Sequence, residues 1–238
     1  VGSQHVSDLH DLQYLPLRVS GLPEGTRVPR RVPSTIFENT EHASEFFWLP
    51  NFAETLFSTE SWLPSTSATA AYRFRKMLEA HLAETGGNPD FIRVQGHDFS
   101  MRGMQNIPAG EASGAGHLLS FIGSDTRSAV PWIEHFYDAD RNEVVIAVSV
   151  PATEHSVMCA GGYLSEIETI RRIIELYPNG IVSIVCDTWN LWHVLTVILP
   201  ALKELIMGRN GTVVVRPDSG DPETILLGDR VAALGSPE

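Results

Sequence analysis

Five short polar motifs, each following a run of apolar residues, carry the side chains that could do chemistry. The carboxyl ends of parallel strands meet at one edge of a sheet, and the catalytic groups of α/β proteins are found there. We therefore expect one shared site from motifs that are far apart in the chain. The motifs are GHDFSMRG (96–103), GSDT (123–126), PATEHS (151–156), CDTWN (186–190) and RPDSGDP (216–222).

The charged residues of these motifs suit a phosphorylated ligand. Arg102 and Arg216 are permanent cations, and their guanidinium groups match the geometry of phosphate oxygens. Asp187 and Asp218 are carboxylates that could hold Mg²⁺ through water, and Mg²⁺ is the usual partner of a pyrophosphate group. His155 is a possible phosphate ligand or nucleophile, because its charge changes near neutral pH.

Two further residues suit a flat heterocycle. Phe99 offers an aromatic face against which a planar ring could pack. Asp125 can accept hydrogen bonds from an amide NH₂ group but would repel a carboxylate. Taken together, these residue types describe a phosphorylated sugar beside a planar base.

Each motif also has a purely structural interpretation. Asp187 could cap the following helix, His155 could be a core histidine, and Arg102 could form an ion pair with Asp98. The segment RPDSG could be a turn, because all its residues except Arg216 are turn formers. Polar groups at five consecutive strand ends favour the functional interpretation, since helix capping alone does not predict such an order.

Apolar runs that alternate with helical patterns must position these motifs. We predict strands at 91–95, 118–122, 144–150, 181–185 and 212–215, and helices at 128–137, 163–177 and 188–208 with a kink at Pro200. An alternation of this kind is typical of βαβ units and a parallel sheet. The strand runs are apolar on both faces, as strands buried on both sides must be. The predicted fold class is therefore α/β, over residues 87–238.

Residues 1–86 have a different pattern and are predicted to form part of a smaller flanking α+β domain. Proline and glycine punctuate short apolar segments there, and clustered aromatic residues follow. The predicted elements are short antiparallel strands near residues 28, 32 and 36–37, an aromatic-rich helix over 41–62 broken near Pro50, and a longer helix over 67–85.

The composition argues against several classes of protein. The 238 residues carry a formal net charge of -12, whereas nucleic acids and anionic membranes attract positive surfaces. The two cysteines form no CxxC motif, and no apolar run reaches the roughly 18 residues that span a bilayer. We therefore expect a cytoplasmic protein that binds neither nucleic acid nor membrane.

In this order and at these spacings, the motifs resemble the nicotinamide phosphoribosyltransferases of the type II phosphoribosyltransferase group. The resemblance covers most of residues 15–232, including the upstream segment VPRRVPSTIFENTE. It implies that nicotinamide and phosphoribosyl pyrophosphate give nicotinamide mononucleotide and pyrophosphate, a step of NAD salvage. It also implies an irregular α/β barrel beside the smaller domain, Mg²⁺, and a homodimer with active sites at the subunit interface.

The resemblance assigns the base and phosphate contacts to individual residues. Phe99 would stack on the pyridine ring, Asp125 would bind the carboxamide, and Ser149 would lie near the amide pocket. Arg102 and Arg216 would contact phosphate or base.

The resemblance also assigns the reacting side of the site. Asp187 and Asp218 would serve the ribose, the pyrophosphate and the metal. His155 would be the histidine that ATP phosphorylates in this group to increase turnover. The ribosyl centre would pass through an oxocarbenium-like state, which the protein stabilises by positioning and charge neutralisation.

Several features of the group are missing, which favours a fragment. An N-terminal DSY-type motif, a later glycine-rich phosphate loop and a further Arg have no counterpart here, and Met101 stands where Tyr is common. The alternatives are a nicotinate phosphoribosyltransferase, against which Asp125 argues, and a catalytically incomplete binding or structural module. A metal-dependent barrel lyase or hydrolase is a third alternative.

Overall fold

The computed structural model describes residues 2–42 and 44–228. The chain divides into two compact units, Val1–Val148 and Ser149–Glu238. Each unit combines helices with parallel strand pairing, which confirms the mixed α/β class. Within the described ranges, no helix is both long enough and apolar enough to cross a membrane. The domain boundary predicted after residue 86 stays a prediction.

The first unit contains a long helix, several shorter helices and two short strand pairs. β1 and β2 pair antiparallel, and β3 and β4 pair parallel. The described elements are α1 (Gln4–Leu12), β1 (Leu17–Gly21), β2 (Thr35–Asn39), α2 (Leu49–Thr85), α3 (Ile92–Gln95), β3 (His97–Asp98), α4 (Ile107–Leu118), β4 (Gly123–Ser124) and α5 (Ala129–Tyr137), with 3-10 turns at Pro89–Phe91 and Ser100–Gly103.

The predicted break near Pro50 is where helix α2 begins, but the two helices predicted over 41–62 and 67–85 form one continuous helix from Leu49 to Thr85. Pro50 lies in the first turn, where the missing backbone N–H would have no intrahelical partner in any case. Pro64 lies inside the helix without ending it. The helix ends at Thr85 as predicted, and Gly86 follows with a φ of 76°, a left-handed value that favours glycine.

Helix α4 packs tightly against α2, and its glycines make this possible. A Cβ atom on Gly116 would lie 2.5 Å from the backbone oxygen of Pro64, closer than a carbon atom can approach. Ser67 of α2 donates a hydrogen bond of 2.7 Å to the backbone oxygen of Ser113. The sequence suggested no helix over 107–118, because its three glycines hid the helical pattern.

Three strands predicted within residues 87–238 are shifted or absent, and the strands predicted near residues 28 and 32 are absent as well. Residues 91–95 are helical, because Asn88 caps this segment through a hydrogen bond from the Asp90 amide and Pro89 favours a first helical turn. Leu118 ends helix α4 and residues 119–122 are turn or irregular, so the paired strand begins only at Gly123. In the run 144–150, Val148 alone forms a parallel bridge, to Gly123.

The second unit has a core between one amphipathic helix and two parallel strands. Buried Ile170, Ile173 and Ile174 lie at helical spacing and pack with Val182 and Ile184. The described elements are α6 (His155–Cys159), a 3-10 turn (Tyr163–Ser165), α7 (Glu166–Leu176), β5 (Asn179–Val185), α8 (Leu191–His193), a π-helical turn (Val194–Ile198), α9 (Leu199–Ala201), α10 (Lys203–Met207), β6 (Asn210–Arg216) and α11 (Pro222–Leu227).

Several sequence predictions for this unit are confirmed. β5 and β6 cover the predicted runs 181–185 and 212–215 and pair in parallel. Helix α7 lies within the predicted span 163–177. The predicted helical stretch 188–208 is divided into short segments around Pro200. The sequence therefore indicated the strand–helix–strand order of this unit correctly.

Substituting Gly116→Ala should disrupt the contact between α2 and α4. We expect the free energy of unfolding to fall by about 1–3 kcal/mol, because the new methyl group meets backbone atoms that cannot move aside. Urea unfolding followed by circular dichroism measures this change. Gly103→Ala is the matched control, since its Cβ would have no neighbour within 4 Å. A Gly116→Ala protein as stable as the wild type would show that the close contact does not matter.

Candidate active site

The ends of β3 and β4 bring together the first group of predicted residues. The parallel register pairs His97 with Gly123 and Asp98 with Ser124. Phe99 and Asp125 therefore follow their strands at the same edge, because both strands run in the same direction. This placement confirms for the first unit that its motifs meet, despite their separation in sequence.

Asp98 connects the two loops that leave these strands. Its Oδ2 atom accepts a hydrogen bond of 2.6 Å from the Thr126 hydroxyl, and its Oδ1 atom accepts one of 2.9 Å from the Ser100 amide. Burial by itself would raise the pKa of the Asp98 carboxyl, but these donors hold it below the ordinary value. A buried carboxylate is thus kept ionised by donors from both loops.

His97, Phe99 and Asp125 form an aromatic and acidic surface. The rings of His97 and Phe99 have centroids 4.8 Å apart and are tilted by 39°. The Nε2 atom of His97 lies 3.3 Å from the Oδ2 atom of Asp125. Phe99 is 45% exposed. The sequence reasoning missed His97, although it directly precedes Asp98.

Arg102 lies on the 3-10 turn Ser100–Gly103, in the same loop as Phe99. It is exposed, and the Asp98–Ser100 hydrogen bond fixes the beginning of its turn. The first unit therefore presents an aromatic ring, a carboxylate and a guanidinium from two loops that Asp98 joins. This combination suits a flat heterocycle that carries an amide.

The ends of β5 and β6 bring together the second group of predicted residues. The register pairs Val185 with Arg216, so Asp187 and Asp218 follow at the same edge. His155 begins α6 and lies close to both carboxylates. Its Nε2 atom is 3.4 Å from Oδ1 of Asp187, and its Nδ1 atom is 3.8 Å from Oδ2 of Asp218. The imidazole is thus flanked by two acids.

Asp187 is the buried member of this group, with a side chain that is 5% exposed. Its Oδ2 atom accepts a hydrogen bond of 2.5 Å from the Ser219 hydroxyl. Burial alone would raise the pKa of the Asp187 carboxyl, but the bond from Ser219 and nearby backbone donors keep the pKa below its ordinary value. Ser219, which sequence reasoning did not single out, therefore supports an ionised Asp187.

Thr153 holds the segment before His155 against the strands. Its hydroxyl accepts a hydrogen bond of 2.9 Å from the Val185 amide, and its backbone oxygen accepts one of 3.0 Å from Nη2 of Arg216. Arg216 is therefore oriented by the backbone of this segment. Ser149 begins the second unit, and its place near an amide pocket stays a prediction.

A metal would have few protein ligands in this arrangement. The described residues contain no group of three or more His, Cys, Asp or Glu side chains that could hold a metal ion. Asp187 and Asp218 are oxygen donors, which Mg²⁺ prefers, and Mg²⁺ usually keeps several waters and binds substrate phosphates. Asp187 and Asp218 are thus the residues that could hold such an ion, with water and a substrate phosphate as its other ligands.

Glu166 is a buried acid that the sequence did not single out, because glutamates at the start of a helix are usually solvated. It is 1% exposed, and neither carboxylate oxygen has a hydrogen-bond partner among the described residues. Burial raises the pKa of the Glu166 carboxyl, and the charge of His193 opposes this only in part. Burial, with a smaller contribution from Glu166, raises the pKa of the Cys186 thiol to about 11. Cys186 therefore stays a protonated core residue.

Comparison with known proteins shows which family this chain resembles. Residues 94–234 match the sequence model of the nicotinate phosphoribosyltransferase (NAPRTase) family. The nicotinamide phosphoribosyltransferase of Acinetobacter baylyi is 49% identical over 100% of this chain and 47% of its own length. That of Mycoplasma pneumoniae is 38% identical over 89% of this chain and 44% of its own length. The chain thus spans about half the length of these relatives.

Replacing Glu166 with Gln should change how stability depends on pH. A carboxyl whose folded pKa is raised favours folding below its unfolded pKa, and this contribution is lost as pH rises through the folded pKa. The unfolding free energy of Glu166→Gln should therefore exceed that of the wild type. This difference should grow from pH 5 to pH 8 and reach at least about 1 kcal/mol.

Urea unfolding across this pH range measures the effect. Glu168→Gln is the matched control, because Glu168 lies on the same helix with a side chain that is 66% exposed. Parallel pH dependences for the wild type and Glu166→Gln would contradict a buried charge at this position.

Proposed function

Because the chain belongs to the nicotinate phosphoribosyltransferase family, we propose that it carries part of the active site for phosphoribosyl transfer to nicotinamide. The reaction converts nicotinamide and phosphoribosyl pyrophosphate to nicotinamide mononucleotide and pyrophosphate, a step of NAD salvage. The proposal of nicotinamide rather than nicotinate as the base rests on the Asp125 carboxylate, which lies beside the His97 and Phe99 rings.

The first unit supports recognition of the amide rather than the acid. A carboxylate such as Asp125 accepts hydrogen bonds from the NH₂ group of nicotinamide. The carboxylate of nicotinate would bring a second negative charge to the same place, and like charges disfavour each other strongly in a partly desolvated site. Phe99 packs against the pyridine ring, and Arg102 contacts phosphate or the base.

The second unit supports the ribose and diphosphate side. Arg216 contacts phosphate or base, and Asp187 and Asp218 serve the ribose and pyrophosphate. Asp187 and Asp218 would hold Mg²⁺ together with substrate oxygens, and the ion would supply positive charge against the diphosphate. As the C1′–O bond breaks, its electron pair leaves with pyrophosphate and the ribosyl centre becomes positive. The lone pair of the pyridine nitrogen then forms the new bond to C1′.

The carboxylates act on this step through charge and position, and no covalent bond to the protein is needed. Asp187, kept ionised by Ser219, is suited to stabilise positive charge on the ribosyl group. Fixed charges of this kind are effective because they need no reorganisation during the reaction. Ser149 contributes to the amide pocket in this proposal.

The proposed architecture is the irregular α/β barrel of the type II phosphoribosyltransferases, with a smaller flanking domain over residues 1–86. Parallel pairing in β3–β4 and β5–β6 and the match to the family support this proposal. The protein acts in the cytoplasm as a homodimer with active sites at the subunit interface. ATP increases turnover by phosphorylating His155, whose side chain is 46% exposed and therefore accessible to a phosphate donor.

The test of the proposed function is an assay with both bases. The complete protein that carries this sequence, given phosphoribosyl pyrophosphate and Mg²⁺, should use nicotinamide in preference to nicotinate. The family description names nicotinate, and a preference for that acid would favour this second function. Absence of activity with both bases would leave only a binding or structural role.

Replacing Asp125 with Ser should weaken the preference for nicotinamide. We expect the ratio of kcat/KM for nicotinate to that for nicotinamide to rise at least about tenfold, since a repulsive charge is removed. Steady-state kinetics with each base measure this ratio. Asp90→Ser, an exposed aspartate in the same unit, is the control. An unchanged ratio would remove Asp125 from its role in base selection.

Replacing His155 with Ala should abolish labelling of the protein by ATP carrying a ³²P γ-phosphate, and with it any activation by ATP. The γ-phosphate moves to an imidazole nitrogen as the bond to the β-phosphate oxygen breaks, and ADP leaves. Incorporated label and turnover with and without ATP measure the effect. His81→Ala, an exposed histidine on α2, should keep both. Equal labelling of wild type and His155→Ala would contradict the phosphohistidine.

A further inference from the structure

We propose that Asp98 and Thr126 form a positioning pair that fixes the spacing between the loop of Phe99 and the loop of Asp125, and thereby sets affinity for the base. The inference rests on the proposed function, because it assigns those two loops to nicotinamide. Asp98 and Thr126 themselves need not touch the base, since each lies one residue away from a proposed contact residue.

Three hydrogen bonds converge on Asp98 from both loops. On its own loop, Oδ1 accepts from the Ser100 amide. From the other loop, Oδ2 accepts from the Thr126 hydroxyl at 2.6 Å, and the backbone oxygen of Asp98 accepts from the Asp125 amide at 2.9 Å. The positions of Phe99 and Asp125 are therefore both defined relative to one residue.

Both side chains of the pair are buried, which protects the hydrogen bond between them. Thr126 is 1% exposed and Asp98 is 8% exposed, so water does not compete well for either side chain. A carboxylate has two acceptor oxygens, and both are used here, one on each loop. An amide in its place would offer only one acceptor oxygen and would turn an N–H group towards one of the donors.

Helix α4 supports Thr126 from the opposite direction. A Cβ atom on Gly114 would lie 3.0 Å from Cγ2 of Thr126 and 2.9 Å from Cβ of Ala129. The glycine thus gives Thr126 the room to sit against the helix with its hydroxyl at Asp98. The hydroxyl of Thr126 therefore binds Asp98 while its methyl group contacts α4, and different substitutions can test each contact.

The variant Thr126→Val removes the hydroxyl and keeps the shape of the side chain. Its loss leaves Oδ2 of Asp98 without this donor and weakens the connection between the two loops, which then rests on backbone contacts such as that from the Asp125 amide to Asp98. We expect KM for nicotinamide to rise about tenfold, because a hydrogen bond to a charged group is lost and contact geometry is relaxed. KM for phosphoribosyl pyrophosphate should stay within about twofold, since its proposed ligands are held by other contacts.

Three further variants isolate the effect. Thr126→Ser restores the hydroxyl and should return KM for nicotinamide to within about threefold of the wild type. Gly114→Ala pushes on the side chains of Thr126 and Ala129, and it should raise the same KM. Thr169→Val is the matched control, because Thr169 is a buried threonine that bonds to Ser165 within the other unit.

The kinetic constants decide between the possibilities. A wild-type protein without activity on either base would overturn the proposed function. An active wild type whose Thr126→Val variant keeps its KM for nicotinamide would overturn the positioning pair alone. Equal rises in both KM values, or failure of Thr126→Ser to restore the wild-type KM, would show a general structural role instead. If Thr126→Val does not fold, an unchanged KM in Gly114→Ala overturns the proposal.

Discussion

Parallel pairing of short strands is the constraint on which the candidate site depends. Two parallel strands end at the same edge of their sheet, so residues that follow them meet even when they are distant in sequence. The register of β3 with β4 places Phe99 beside the Asp125 loop, and that of β5 with β6 places Asp187 beside the Asp218 loop. Each unit thus builds its own group of polar residues.

The two groups share one feature: in each, a hydroxyl group donates a hydrogen bond to a buried carboxylate and keeps it ionised. Thr126 donates to Asp98 in the first unit, and Ser219 donates to Asp187 in the second. In both, hydrogen bonds offset the effect of burial, and the pKa stays below its ordinary value. Negative charge is thereby fixed in place before any ligand arrives, as electrostatic stabilisation of a developing cation requires.

The sequence predicted the strand-end motifs, but local chemistry decided where the strands lie. Runs 181–185 and 212–215 form strands because β-branched residues dominate both and favour extended backbone, although only the first strand contains buried residues. The run 91–95 became helical because Asn88 and Pro89 favour a helical turn, a short-range effect that hydrophobic patterning does not reveal. His97, Thr126 and Ser219 were missed because their roles depend on contacts rather than on residue type.

We propose that the first unit binds the base between Phe99 and Asp125. A crystal structure of the complete protein with bound nicotinamide mononucleotide tests it most directly. We expect the pyridine ring to lie against the Phe99 ring, with the carboxamide nitrogen within hydrogen-bond distance of an Asp125 carboxylate oxygen. A pyridine ring bound away from both residues would contradict it.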